Sequence, residues 1–281
     1  MKAIRIIPRL DIKGPNLVKG IHLEGLRVLG KPSQFASYYY QSGADELFFQ
    51  DVVASLYERN SLHHIISETA KSIFIPITVG GGLRSIDDIR EVLRAGADKV
   101  CLNTAALNNP GLIKKAARIF GSSTIVIAIE AIKEQDNTYK AYTDNGREYT
   151  GKDVFEWAQM VEELGAGEIV ITSVDKEGTG EGFDLSLIDG IAKLVNIPVI
   201  AHGGAGNSNH VSEVFKKTDI SAICLGSMLH YDAVKRITHE TSDEEGNLEF
   251  LRSGRNFHTF SPTDINTLKH SLSDFGLQIR L

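Results

Sequence analysis

Eight short β-rich runs alternate along the chain with longer stretches of helical period, and this alternation constrains the fold more than any other feature. The runs are "IRIIPRLDI", "ELFFQDVV", "FIPITVGGG", "KVCLNTA", "STIVIAIEAI", "EIVITSV", "IPVIAHGG" and "SAICLGS". Between them, stretches such as "SIDDIREVLRAG", "NPGLIKKAARIFG" and "GKDVFEWAQMVEELGAG" open on a capping residue or Pro, space apolar residues three and four apart, and close on Gly. Strands alternating with helices imply parallel strands joined by helical crossovers. Eight such units predict one α/β domain over residues 1–281, a (β/α)8 TIM barrel whose active site lies at the C-terminal ends of its strands. An open doubly wound sheet is the alternative.

An internal repeat favours the barrel. A shift of about 122 residues lays "GADELFFQD" on "GAGEIVITS", "VGGG" on "HGGAG" and "DKVCLNTA" on "SAICLGSM", and brings Asp11 near Glu130. The chain thus reads as two half-barrel copies. Two segments break the pattern. "KGPNLVKGIHLEGLRVLGKP", after the first strand, is too long for a common βα loop and is expected to be a mobile active-site loop. A charged insertion at about 234–260, between strand eight and a last helix around "TDINTLKHSLSDFG", is a lid, an interface or a solvated excursion.

Composition narrows the class. No apolar run reaches the roughly 18 to 20 residues that span a bilayer, and no basic-then-apolar leader opens the chain. The two cysteines, Cys101 and Cys224, form no C-x-x-C pair, so a cytoplasmic protein without a disulfide framework is expected. A net charge of -6 argues against general nucleic-acid affinity. No His-x-x-x-His or His/Cys/carboxylate cluster suggests a metal, and no cofactor is expected. His63 and His64 fall in a helical stretch and read as surface residues, whereas His202 precedes a Gly-rich turn.

The Gly-rich turns carry the first chemistry. "VGGGLRS", with Gly81 and Gly82, ends strand three just before a helix, where backbone N–H groups and the helix dipole favour phosphate, and Asn103 and Thr104 stand next door on strand four. "HGGAGNS" and "LGSM" repeat the arrangement at strands seven and eight with Gly203, Gly204, Gly206, Gly226 and Ser227. Two cradles across one barrel mouth imply an elongated substrate phosphorylated at both ends. Between them stand Asp11, at the end of strand one, and Glu130, at the end of strand five, placed for general acid and base work. Lys19 in the first loop, Asp51 on strand two, Thr172 on strand six, and Glu177, Gly178 and Thr179 in "DKEGTGEG" join the candidate substrate-binding set.

At the opposite end of the strands, inward parity selects Arg5, Glu46, Lys99 and Glu168. Alternating charges would satisfy one another as a salt-bridge plug. Spacing alone leaves plug and gate both open. The first strand also places Arg9 on the same face as Arg5, Ile7 and Asp11, and a charge so buried must be paired or used.

Through "LVKG", "GADEL", "TVGGGLRS", "FGSSTIV", "DNGREYTG", "EWA", "IPVIA-GGAG" and much of the chain between, the sequence resembles the cyclase-subunit family of imidazole glycerol phosphate synthase. Only the insertion is unaccounted for. The resemblance implies a (β/α)8 enzyme in a heterodimer with a glutaminase. Ammonia released by the partner would pass through the barrel to a bisphosphorylated phosphoribulosyl-formimino aminoimidazole carboxamide nucleotide. The products would be imidazole glycerol phosphate and an aminoimidazole carboxamide ribonucleotide. It implies catalytic roles for Asp11 and, in place of the family's Asp, Glu130. It also identifies Arg5, Glu46, Lys99 and Glu168 with the family's ammonia gate, which argues against the ammonia-independent sister isomerase. The departures are Arg9 for a small residue, Glu130 and Glu177 for Asp, and His202 for Ser. They leave two alternatives to the cyclase: a paralogous subunit that delivers ammonia to a surface-polysaccharide sugar, and a non-catalytic activator of a glutaminase.

Overall fold

The computed structural model describes residues 4–54, 62–237 and 259–280. In chain order its strands are β1 (Arg5–Lys13), β2 (Asn16–Ile21), β3 (Glu24–Gly30), β4 (Leu47–Asp51), β5 (Ile77–Gly80), β6 (Lys99–Leu102), β7 (Ile125–Lys133), β8 (Tyr139–Thr143), β9 (Glu148–Asp153), β10 (Glu168–Ser173), β11 (Val199–His202) and β12 (Ala222–Leu225). Strands β1, β4, β5, β6, β7, β10, β11 and β12 pair in parallel, and the β7–β10 pairing closes them into the expected (β/α)8 barrel. Closure leaves no edge among these eight strands and sends alternate side chains inward.

Inward parity produces layers. A middle layer of Ile7, Phe48, Cys101, Val126, Val170, Ile200, Ala222 and Cys224 fills the barrel interior. The larger core lies outside the strands, where Leu10, Phe35, Leu47, Ile89, Trp157 and Ile191 pack sheet against helices. The helices start where their sequences supply acceptors: Ser85 and Asp88 form a reciprocal capping box at Ile86–Arg94, and Asp153 caps Val154–Glu163. Asp264 caps the last helix, Ile265–Asp274, close to its expected place.

The segment expected to be a mobile loop after strand one is instead a hairpin. β2 pairs antiparallel with β1 and with β3, and Leu17, Val18, Lys19 and Gly20 are buried. Its turn is made by His22 and Leu23 at φ 52° and 61°, conformations that give no glycine signal in the sequence. A second hairpin, β8–β9, follows β7 in the same way and carries the half-barrel repeat further than the sequence did. Of the expected insertion, residues 238–258 lie outside the described residues, and the helix Ser227–Arg236 runs past its expected start at Val234.

That helix buries His230 against the first strand. The Arg9 carbonyl accepts a 2.9 Å bond from Nε2, so Nδ1 is the acceptor for the Tyr39 hydroxyl at 2.6 Å. Burial, aided by the Lys19 charge, lowers the His230 pKa from 6.5 to about 4. The unfolded chain therefore binds this proton first, and stability present above pH 6.5 is lost as pH falls toward 4. Urea unfolding should show a loss of about 2 kcal/mol from this group between about pH 7 and about pH 5. His230→Gln should make the pH slope shallower.

Candidate functional site

The closed bottom of the barrel is a ring of paired charges. Arg5 on β1 reaches Glu46 at 3.0 Å and Glu168 at 2.9 Å, and Lys99 on β6 reaches the same two carboxylates at 3.2 and 2.8 Å. Thr78 on β5 donates a further 2.7 Å bond to Glu46. All four sequence-selected residues thus form one alternating circuit, because Arg5, Lys99 and Glu168 open their strands and Glu46 immediately precedes β4.

At the other end a cavity of about 390 Å³ opens over one half of the mouth. Gly81, Gly82, Asn103, Thr104, Asp51, Glu130 and Thr172 line it, together with Arg9. Gly81 sits at φ +101°, and a Cβ there would stand 2.3 Å from the Asp51 carbonyl, so the turn admits only glycine. In the helix after this turn the Ser85 hydroxyl accepts the Asp88 N–H, the Asp88 carboxylate accepts the Arg84 and Ser85 N–H groups, and Asp87 and Asp88 place negative charge in the first turn. The short helix Thr104–Asn108 has no side-chain cap. The second half repeats this: Asn207 caps Ser208–Lys217, while Ser227–Arg236 begins uncapped at Gly226.

The space at the second cradle is small. Gly203, Gly204, Gly226, Ser227, Glu177, Gly178, His202 and Phe260 enclose only about 20 Å³. Lys19, carried by the first hairpin, forms a buried ion pair with Glu177, whose other oxygen accepts the Leu23 N–H at 2.9 Å. Gly178 lies against the Gly20 backbone, where a Cβ would come within 2.7 Å of a carbonyl oxygen. Thr179 lines neither space; its hydroxyl donates to the Lys176 carbonyl at 2.8 Å and holds the turn.

The two carboxylates differ in their partners. Asp11 does not line either space and takes the Arg9 Nε–H on Oδ1 at 2.8 Å. Glu130 faces the larger cavity and accepts the Gly146 N–H at 2.9 Å. Burial raises its pKa from 4.5 to about 7, with Asp144 adding to the rise while Gly146, Arg9 and Asn103 oppose it. Arg9 Nη1 lies 3.2 Å from His202 Nδ1, which Thr172 Oγ1 also meets at 3.1 Å. Gln50, Asp144 and Asn145 line the cavity without having been selected from sequence. For the last two a signal existed, because "DNG" is a hairpin-turn sequence that returns the chain over Glu130.

Comparison with known proteins agrees with this geometry. A family described as histidine biosynthesis protein matches residues 5–235. The chain is 57% identical over 206 residues to imidazole glycerol phosphate synthase subunit HisF of Legionella pneumophila, covering 73% of this chain and 97% of that one. It is 49% identical over 234 residues to the HisF subunit of Hydrogenobaculum sp., covering 83% and 93%. For the HisF subunit of Streptococcus mutans the identity is 44% over 245 residues, covering 87% and 98%. The chain belongs to the imidazole glycerol phosphate synthase cyclase-subunit family.

In this cyclase-subunit barrel the charged ring closes one end of the strands, and Arg9, Glu130, Glu177 and His202 are buried toward the other. Among the described residues no group of His, Cys, Asp and Glu could hold a metal ion, and no helix is long and apolar enough to cross a membrane. Burial pushes the Cys101 thiol up to about 12, so it is protonated at neutral pH. Within the ring, Glu46 holds Arg5, Lys99 and Thr78. Glu46→Ala leaves Arg5 and Lys99 sharing Glu168 alone and should cost about 3 kcal/mol in denaturant unfolding.

Proposed function

We propose that this barrel carries out the family's reaction at its mouth with Asp11 as proton acceptor and Glu130 as proton donor. As a cyclase of histidine biosynthesis, the chain combines ammonia with the bisphosphorylated phosphoribulosyl-formimino aminoimidazole carboxamide nucleotide. The products are imidazole glycerol phosphate and aminoimidazole carboxamide ribonucleotide. The observation that carries the residue assignment is the placement of two buried carboxylates, each where a hairpin begins to pair with its strand, above a lumen closed by the charged ring. Among the described residues no cation is bonded to Glu130, and burial lifts its pKa to about 7, which suits donation. Asp11 is bonded to a guanidinium, which suits acceptance.

The two Gly-rich cradles would take the two phosphates, with Gly81, Gly82, Asn103 and Thr104 at one end and Gly203, Gly204, Gly226 and Ser227 at the other. Lys19, Asp51, Thr172, Glu177, Gly178 and Thr179 are read as the surrounding substrate set, Thr179 through the turn it holds. Arg5, Glu46, Lys99 and Glu168 are read as the passage for ammonia from a glutaminase subunit in a cytoplasmic heterodimer. Nitrogen adds to the ketone carbon and water is lost; the nitrogen then closes on the formimino carbon and the aminoimidazole amine leaves. Water and the departing amine each carry off two protons, three of the four from ammonia and one from the carbon beside the former ketone, which leaves the new ring aromatic.

A second acceptor is favoured by one observation: the second cradle encloses about 20 Å³ and has Glu177, paired to Lys19, in its lining, while Arg9 lines the larger cavity. An ammonia-using subunit acting on a sugar with one anionic group would fit that space. Turnover of the phosphoribulosyl nucleotide with excess ammonium separates the two. Robust turnover lost in Asp11→Asn supports the cyclase, and its absence in a protein that binds a glutaminase tightly supports the sugar acceptor.

With free ammonia held constant, kcat/KM should fall as pH rises through about 7, because Glu130 loses the proton it donates. Glu130→Gln should remove that limb and lower kcat by about 10²-fold or more.

A further inference from the structure

We propose that Arg9 is a positioning residue of this active site, a fixed guanidinium that lines the cavity and holds the buried Asp11 carboxylate beside it. The inference rests on the reading of Asp11 as an acid–base group. Neither the family pattern nor the charged ring calls for a cation at this place.

Arg9 stands at a boundary. Its guanidinium lies 5.7 Å from the centre of the Phe48 ring, part of the apolar layer that fills the barrel, and its other side lines the cavity. It is 5% exposed, so its orientation is set by protein groups rather than by water. Three groups set it. Nε–H donates to Asp11 Oδ1 at 2.8 Å, Nη1 meets His202 Nδ1 at 3.2 Å, and Phe48 packs against the plane. A guanidinium cannot accept, so His202 Nδ1 is the acceptor and the ring proton sits on Nε2. Burial first, then the Arg9 and Lys19 charges, hold the His202 pKa well below its ordinary value and keep the ring neutral. A neutral His202 can therefore anchor Arg9 without repelling it.

Stability alone does not account for this arrangement. Taking a cation and an anion out of water costs about as much as their attraction returns, and an apolar pair of similar volume is often as stable. What the pair does supply is direction. The planar fork fixes Oδ1 and leaves Oδ2 without a hydrogen bond among the described residues. Oδ2 is then the oxygen that takes a proton from nitrogen as the new nitrogen–carbon bond forms, while Oδ1 stays on Arg9. Nitrogen emerging from the apolar layer reaches Arg9 and Asp11 together.

The experiment compares wild type, Arg9→Met and Arg9→Lys in ammonium-dependent turnover of the phosphoribulosyl nucleotide. Arg9→Met should lower kcat by about 100-fold with KM for the nucleotide nearly unchanged. Arg9→Lys, which keeps the charge but not the fork, should recover about tenfold of that loss. Added guanidinium should restore Arg9→Ala saturably at concentrations far below those that unfold it. Unchanged kcat overturns the proposal, as does a loss confined to KM, which would make Arg9 a substrate ligand. A loss recovered by neither lysine nor guanidinium also overturns it, leaving a structural role. Where Arg9→Met does not fold, Arg9→Lys carries the test through a drop of about tenfold in kcat. Wild type that fails to turn over the nucleotide sinks the functional reading instead. Arg9 is then tested by thermal unfolding of Arg9→Lys, Asp11→Asn and the double variant. Non-additive shifts in Tm support the held carboxylate, and additive shifts overturn it.

Discussion

Closure of the sheet through β7 and β10 is the constraint from which the rest follows. Once eight strands share one interior, every second side chain on each must meet those of seven others, and a charge at such a position has no water to fall back on. The interior therefore sorts by height. Paired charges close the bottom, apolar side chains fill the middle, and Arg9, Asp11, Glu130 and Thr172 reach the top. One topological fact thus sets where chemistry can occur, because only the top layer combines buried polar groups with an opening to solvent.

How legible this was depends on sequence distance. The barrel, its strand order and the bottom ring could be read from period and parity, since both are local properties repeated eight times. The hairpins could not be read so simply. His22 and Leu23 turn the first one in a conformation that favours glycine, held there by the Glu177 carbonyl and carboxylate taking their N–H groups. That support comes from more than 150 residues away in the chain. Arg9 is the extreme case. Its face was legible, but its partner His202 lies 193 residues downstream, so its role depended on a meeting no local pattern encodes.

The two cradles show the same limit from another side. As sequences they are close copies, with Gly-rich turns capped by Ser85 in one half and Asn207 in the other. As spaces they differ from about 390 to about 20 Å³. The hairpins bring different groups to them. β8–β9 brings backbone, the Gly146 N–H, to Glu130 in the wall of the larger space. β2–β3 brings the Lys19 ammonium to Glu177 in the wall of the smaller one.

The carboxylates are made unequal by their neighbours more than by their own chemistry. Glu130 is buried with a backbone N–H and an amide as its hydrogen-bonding company, so its charged form lacks compensation and its proton is retained to about pH 7. Asp11, equally buried, has a guanidinium at 2.8 Å. The two carboxylates sit at matching places in the two halves, but of the two Arg9 hydrogen-bonds only Asp11. The arginine breaks that symmetry within a fold built from two like halves. It does so from β1, and the equivalent height on β7 is held by Ala128, a side chain too small to do the same for Glu130. A single side chain thus gives two like-placed carboxylates different partners in a near-symmetric barrel.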